Sequence, residues 1–246
     1  MTRIITRGDD AGSCVSANLA IKECCEKGAL RNISVMAVGP AFDHAVEQLK
    51  DIRGVDFGLH VTLNSEWDEP KWGPVSSPES VPSLVDTNGM FTQNPGILKD
   101  RGFQKDEVMA EIQAQLSLAR RAGFSISYID EHMGVSWIGF RADLAEICRK
   151  EGLIQAANYR YLDVSSSDPN SIVALQAAIS RENDGVFVCV FHPGIDAPDM
   201  QVMGHEGIEP GRIAKERDAD RRLLMDPKLI NLPYAFIRYS EAVPYL

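Results

Sequence analysis

Short apolar runs alternate with amphipathic helical patterns along all 246 residues, and this order restricts the fold more than any other feature of the chain. Strands are expected at Ile4–Thr6, Ile33–Val38, Val55–Leu63, Ser127–Asp130, Val186–Phe191 and Ala235–Tyr239, where apolar residues run together or alternate. Helices are expected at Val15–Lys27, Phe42–Lys50, Lys105–Ala122, Phe140–Lys150, Ile172–Ser180 and Ile213–Met225. Gly28, Gly123 and Gly152 supply stop signals for three of them. Repeated strand-then-helix order implies parallel strands joined by right-handed crossovers. The expected fold class is therefore α/β, with residues 1–246 forming a single-domain (β/α) barrel, irregular or with fewer than eight strands. An open doubly wound sheet is the competing arrangement, although Arg7-Gly8-Asp9-Asp10-Ala11-Gly12 lacks the glycine spacing of a dinucleotide loop.

Two long segments interrupt the alternation. Residues 64–100 carry five prolines together with Trp67 and Trp72, and residues 193–211 carry Met200, Met203 and His205. Insertions of this length in one domain usually serve as lids or binding segments. The 25 Lys and Arg against 35 Asp and Glu give a formal charge of −10, which opposes phosphate backbones and argues against a nucleic-acid partner. No apolar stretch approaches the roughly 20 residues of a membrane span. The N-terminus lacks the apolar run of a secretory signal, so a cytoplasmic protein without membrane partners is expected. The five cysteines (Cys14, Cys24, Cys25, Cys148 and Cys189) show no Cys-x-x-Cys spacing and read as thiols in a reducing compartment, not as a zinc-cysteine site.

Ionisable residues collect where the expected strands end. Asp9-Asp10 follows the first strand, His60 lies late in the third, Asp130-Glu131-His132 closes the fourth, and His192 follows Val186–Phe191. In a parallel barrel all strand C-termini open on one face, so three of the five histidines and a carboxylate pair would converge there. Local roles compete with this reading. The aspartates could complement the positive end of the helix starting near Val15, and His60 could be a hydrogen-bonded core residue. His44 and His205 read as surface residues. One carboxylate with two imidazoles suits Zn²⁺, Mn²⁺, Co²⁺ or Fe²⁺, whereas two nitrogen ligands are less natural for Mg²⁺. Three protein ligands leave room for water and a substrate oxygen, and a second aspartate could take a proton from that water. The implied chemistry is metal-assisted attack on a carbonyl.

These residues, in this order, resemble the YdjC-like carbohydrate deacetylases. The likeness rests on the strand leading to Asp9-Asp10, on Gly58-Leu59-His60-Val61-Thr62-Leu63, on Asp130-Glu131-His132 and on His192-Pro193-Gly194, with a charged stretch at Lys215–Met225 before Asp226-Pro227. Two positions depart from the pattern. Ala11 stands where an aromatic residue usually follows the aspartate pair, and Gly134 where many members have a second histidine. The resemblance implies a modified (β/α) barrel that removes an N- or O-acetyl group from a sugar, commonly N-acetylglucosamine units. By position it implies Asp10, His60 and His132 as metal ligands, Asp9 as general base, His192 at the substrate or leaving group, and Asp130 as a partner orienting His132.

The expectation is thus a hydrolase with one divalent metal ion, Zn²⁺ or Mg²⁺ first and Mn²⁺ or Co²⁺ open, acting on a small acetylated sugar or oligosaccharide. Trp67, Trp72 and Trp137 could stack on sugar faces or simply pack. A metal-dependent sugar isomerase and a catalytically silent sugar-binding or regulatory protein remain alternatives, and a homo-oligomer stays open.

Overall fold

In the computed structural model, which describes residues 2–164, 171–182 and 184–242, apolar alternation sorts each strand into two faces. The strands are β1 (Arg3–Ala11), β2 (Asn32–Val35), β3 (Asp56–Val61), β4 (Ile126–Glu131), β5 (Ile154–Gln155), β6 (Arg160–Tyr161), β7 (Val186–Phe191) and β8 (Ala235–Ile237). Every strand pairing is parallel. The sheet order β5-β4-β3-β2-β1-β7-β6 is sequential when read around a ring, with β8 sharing the β1 edge with β2. It is a barrel cut between β5 and β6. A doubly wound sheet would instead reverse its strand order at a switch point.

The helices that cover the outside are α1 (Val15–Lys27), α2 (Phe42–Leu49), α3 (Pro95–Arg101), α4 (Lys105–Arg121), α5 (Arg141–Glu151), α6 (Ile172–Ser180), α7 (Pro198–Gln201), α8 (Arg212–Met225) and α9 (Pro227–Ile230). Phe57, Leu59 and Val61 of β3 and Phe187, Cys189 and Phe191 of β7 point outward into the helix layer. Ile5, Tyr128, Val186, Val188, Ile237 and Tyr239 fill the lower barrel interior as a separate apolar plug. All twelve elements expected from the pattern are present, most displaced at an end by one to three residues. The two-residue strands β5 and β6 and the short helices α3, α7 and α9 carry too few residues to show a period. The insertions are not structureless: 64–100 holds α3, 193–211 holds α7, and a backbone bridge joins them at Glu69 and Gly204.

The plug forces one small residue. Gly58 lies beside Tyr128 in the β3–β4 ladder, and a Cβ there would come within 2.1–2.4 Å of the Tyr128 ring. Tyr128 is fully buried, with its hydroxyl 3.0 Å from Ser34 Oγ, so it has nowhere to move. Gly58→Ala is therefore expected to destabilise the fold by about 1–3 kcal/mol or more through overpacking. Urea unfolding measures this, and an unchanged midpoint would show that the plug is not tightly filled.

Candidate metal centre

Period-two alternation carries the chemistry as well as the core. Ile5, Arg7 and Asp9 share one face of β1, Gly58 and His60 one face of β3, and Tyr128 and Asp130 one face of β4. Above the apolar plug, the barrel interior thus receives Arg7, Asp9, His60 and Asp130, all buried. Asp10 breaks the alternation. Its φ of 63° lies in the left-handed region that non-glycine residues rarely adopt, and its Oδ1 faces His60 and His132 instead of following the alternation toward the helix layer. His132 begins a 3₁₀ segment, His132–Ile138, directly after β4.

Asp10 Oδ1 lies 3.3 Å from His60 Nε2 and 3.3 Å from His132 Nδ1, and the two nitrogens are 3.2 Å apart. This nearly equilateral triangle matches the spacing of about 3.3 Å between ligand atoms of a tetrahedral ion with bonds near 2.0–2.1 Å. The outer nitrogens set the tautomers. His60 Nδ1 is 3.0 Å from Asp130 Oδ2, and His132 Nε2 is 2.7 Å from Glu66 Oε2. A carboxylate only accepts, so each of these nitrogens carries the proton. In the neutral rings the lone pairs of His60 Nε2 and His132 Nδ1 then face Asp10 Oδ1, which is buried without a hydrogen-bond partner. Three acceptors pointed at one spot call for a cation.

Charge balance gives the same answer. The buried cluster sets four carboxylates (Asp9, Asp10, Asp130 and Glu66) against two guanidiniums (Arg7 and Arg217), leaving two negative charges unbalanced. Arg7 Nε and Nη2 donate to Asp9 Oδ1 and Oδ2 at 2.6 and 2.7 Å, and Arg7 Nε also lies 3.1 Å from Asp130. Arg217 Nη2 donates to Asp10 Oδ2 at 2.6 Å. In a second trio, Asp9, His60 and Asp130, both carboxylates lie against the single Arg7 guanidinium.

Without an ion the imidazoles take up protons. Burial opposes charge on His60, but Asp130, Asp9 and Asp10 push its pKa well above the usual histidine value. Burial likewise opposes charge on His132, yet Glu66 and Asp10 raise it to about 9. Burial would raise both aspartates; Arg7 holds Asp9 below the usual carboxylate range, and Arg217 with the two imidazoles holds Asp10 well below it.

Asp9, Asp10, His60 and His132 thus come together. His192 stands at the rim, half-buried, its backbone N–H donating to Asp220 at 2.7 Å, and it adds to the lowering of the Asp9 pKa. A cavity of about 690 Å³ adjoins it between β7, α6 and α8, walled by Leu175, Phe191, His192, Arg217 and Leu223 and not by Asp9, Asp10, His60 or His132. One expectation is corrected. Asp130 orients His60, because the parallel register sets the two side by side, and Glu66 is the partner of His132. Arg7 could have been found from its two-residue spacing to Asp9. Glu66 sits in an insertion without a pattern, and Arg217 is one charge among many on α8.

The tryptophans separate by environment. Trp72 is buried with Nε1 donating to the Asn64 carbonyl, and Trp67 is buried with its ring stacked on His205. Trp137 is half-exposed beneath the Lys99 ammonium. His205, expected at the surface, is partly covered by that stacking, and His44 is partly covered where its Nδ1 meets Asn18 Nδ2.

Fold and site together define a (β/α)-barrel protein with a buried Asp-His-His cluster suited to a cation. The chain belongs to the YdjC-like protein family, whose profile matches residues 3–232. It is similar to a carbohydrate deacetylase of Thermoanaerobacter pseudethanolicus, 32% identical over 133 residues that take in 54% of this chain and 50% of that relative. The match thus spans about half the length of that curated relative. A solved protein of Enterococcus faecalis V583 assigned to cellobiose-phosphate cleavage shares the fold with a TM-score of 0.79 and 19% identity, over 98% of this chain and 99% of its own. A CE4 family pseudoenzyme from Bacillus anthracis shares it at a TM-score of 0.53 and 10% identity, over 98% and 64% of the two chains. These similarities concern the fold. Activity has to be argued from the site.

A cation at this cluster would compete with protons for the same two nitrogens. Binding of Zn²⁺ at pH 7 is expected to release on the order of one to two protons, with apparent affinity rising as the pH climbs toward 9. Calorimetry in buffers of different ionisation enthalpy measures the release, and a proton count near zero would contradict these assignments. Glu66→Gln is expected to weaken metal affinity by about 10–100-fold, read by chelator competition.

Proposed function

We propose that this protein is a metal-dependent hydrolase that removes an acetyl group from a small acetylated sugar or oligosaccharide, N-acetylglucosamine-type units being one candidate substrate. One observation carries the reading: three buried, mutually facing acceptors in a cluster short of two positive charges. The donor set suits Zn²⁺, Co²⁺ or Mn²⁺ better than Mg²⁺, because two of its three atoms are imidazole nitrogens. A dication held by Asp10, His60 and His132 supplies a Lewis acid for a carbonyl oxygen and acidifies water.

The other residues have separable tasks. Asp9 accepts the proton of the attacking water. Arg7 grips both of its oxygens, which fixes its direction and keeps it ionised at neutral pH, while lone pairs remain for a third hydrogen bond. His192, at the rim beside the cavity, donates a proton to the departing amine or alcohol. The relatives named carbohydrate deacetylase support an acetylated carbohydrate as the substrate. A sugar isomerase gains no support, since the described buried polar residues include no lysine. Complete retention of the cluster also weighs against a silent sugar-binding protein.

The test couples metal analysis to acetate release from N-acetylated and O-acetylated mono- and oligosaccharides. Metal-loaded wild type should release acetate. Asp9→Asn should keep its metal and lose about 10²-fold or more in kcat. His132→Ala should lose both metal and activity. Absence of acetate from every substrate with the site fully loaded would overturn the reading, as would equal turnover by His132→Ala.

A further inference from the structure

The closing helix α8 reaches the metal centre through one side chain. Arg217, seven per cent exposed, places Nη2 2.6 Å from Asp10 Oδ2, while Asp10 Oδ1 faces His60 Nε2 and His132 Nδ1. A free carboxylate can grip a dication with both oxygens, and one whose second oxygen is engaged offers only the first. We propose that Arg217 is a positioning residue for the metal centre, occupying Oδ2 of Asp10 so that Asp10 presents the single oxygen Oδ1 to the cation. This rests on the metal reading given above.

Arg217 is itself held from several sides. Its backbone carbonyl accepts from the Gly194 N–H at 3.0 Å, and its guanidinium carbon lies 5.9 Å from the centre of the Trp67 ring. One turn on, Asp220 Oδ2 accepts from the His192 backbone N–H. Gly194 is what lets α8 come so close, because a Cβ there would stand 2.6 Å from Met200 Cε and 2.9 Å from Arg217 Cβ. Arg217 and Asp220, three residues apart on one helix, thereby tie Asp10 to the loop that carries His192. A simple charge-neutralising role would leave the choice of oxygen open. The observed arrangement engages one oxygen and leaves the other buried without a partner.

A lone point charge cannot reproduce this directed contact, so Lys should restore it only in part. The probe is Co²⁺, whose visible absorption weakens as its coordination number rises. Wild type loaded with one equivalent should give the stronger spectrum of a low coordination number. Arg217→Met, loaded to the same stoichiometry, should lose about two-fold or more in molar absorption as Asp10 swings to bind through both oxygens, with Arg217→Lys in between. Spectra of both variants superimposable on wild type would overturn the proposal. Should Arg217→Met lack a cooperative unfolding transition, Arg217→Lys decides alone: a reduced intensity supports the proposal and an unchanged one overturns it. Wild type that binds no Co²⁺ would defeat the metal reading itself, and this inference with it. Acetate release, measured separately, keeps failure of the deacetylase assignment distinct from failure of the positioning role.

Discussion

Four carboxylates buried beside two guanidiniums at the top of a barrel form the constraint on which the rest of this structure depends. Isolated charges are expensive to bury, and even paired ones are tolerated only with full hydrogen bonding. Here each member of the site has an assigned partner: Arg7 for Asp9, Arg217 for Asp10, Asp130 for His60 and Glu66 for His132. The remaining two negative charges are met by imidazolium protons or by one dication. This is why the pKa values of His60 and His132 rise despite burial. The apolar plug of Ile5, Tyr128, Val188 and Tyr239 beneath the cluster lowers the local dielectric and sharpens that demand.

The fold and the site are coupled through the alternation of the strands. A one-residue slip of β1 would turn Arg7 and Asp9 toward the helices and Ile4 and Thr6 toward the barrel interior. The Gly58–Tyr128 fit and the Ser34 hydroxyl pin the register of β3 against β4, and so set His60 beside Asp130. Tyr161 and Tyr239 receive Arg7 from below, which links the plug to Asp9. Elements far apart in the chain thus act on one spot: α8 through Arg217, and the 64–100 insertion through Glu66.

Much of this was legible in the residues. The strands that carry Asp9, His60, Asp130 and His192 show a clean alternation or an apolar run, and their order alone implies that the ends share a face. His60 illustrates the limit of such reading. A histidine inside an apolar strand is equally consistent with packing, and its neighbours Asp10 and His132 come into view only in the folded chain. Asp130 illustrates another limit, since its position two residues before His132 suggests a local pairing that strand geometry defeats. Residues i and i+2 of a strand share a face, but His132 has already left the strand for a 3₁₀ turn.

The amino-acid sequence by itself determined the parallel α/β architecture, the location of the acids and imidazoles at strand ends, and the Asp-His-His composition of the buried cluster. Those follow from periodicity and side-chain chemistry, which are local. Only the folded chain decided which oxygen of Asp10 is free, that Glu66 and not Asp130 backs His132, and that Arg217 closes the cluster. These are matters of distance between segments up to 207 residues apart, set by how helices and insertions pack on the barrel, and no local pattern encodes them.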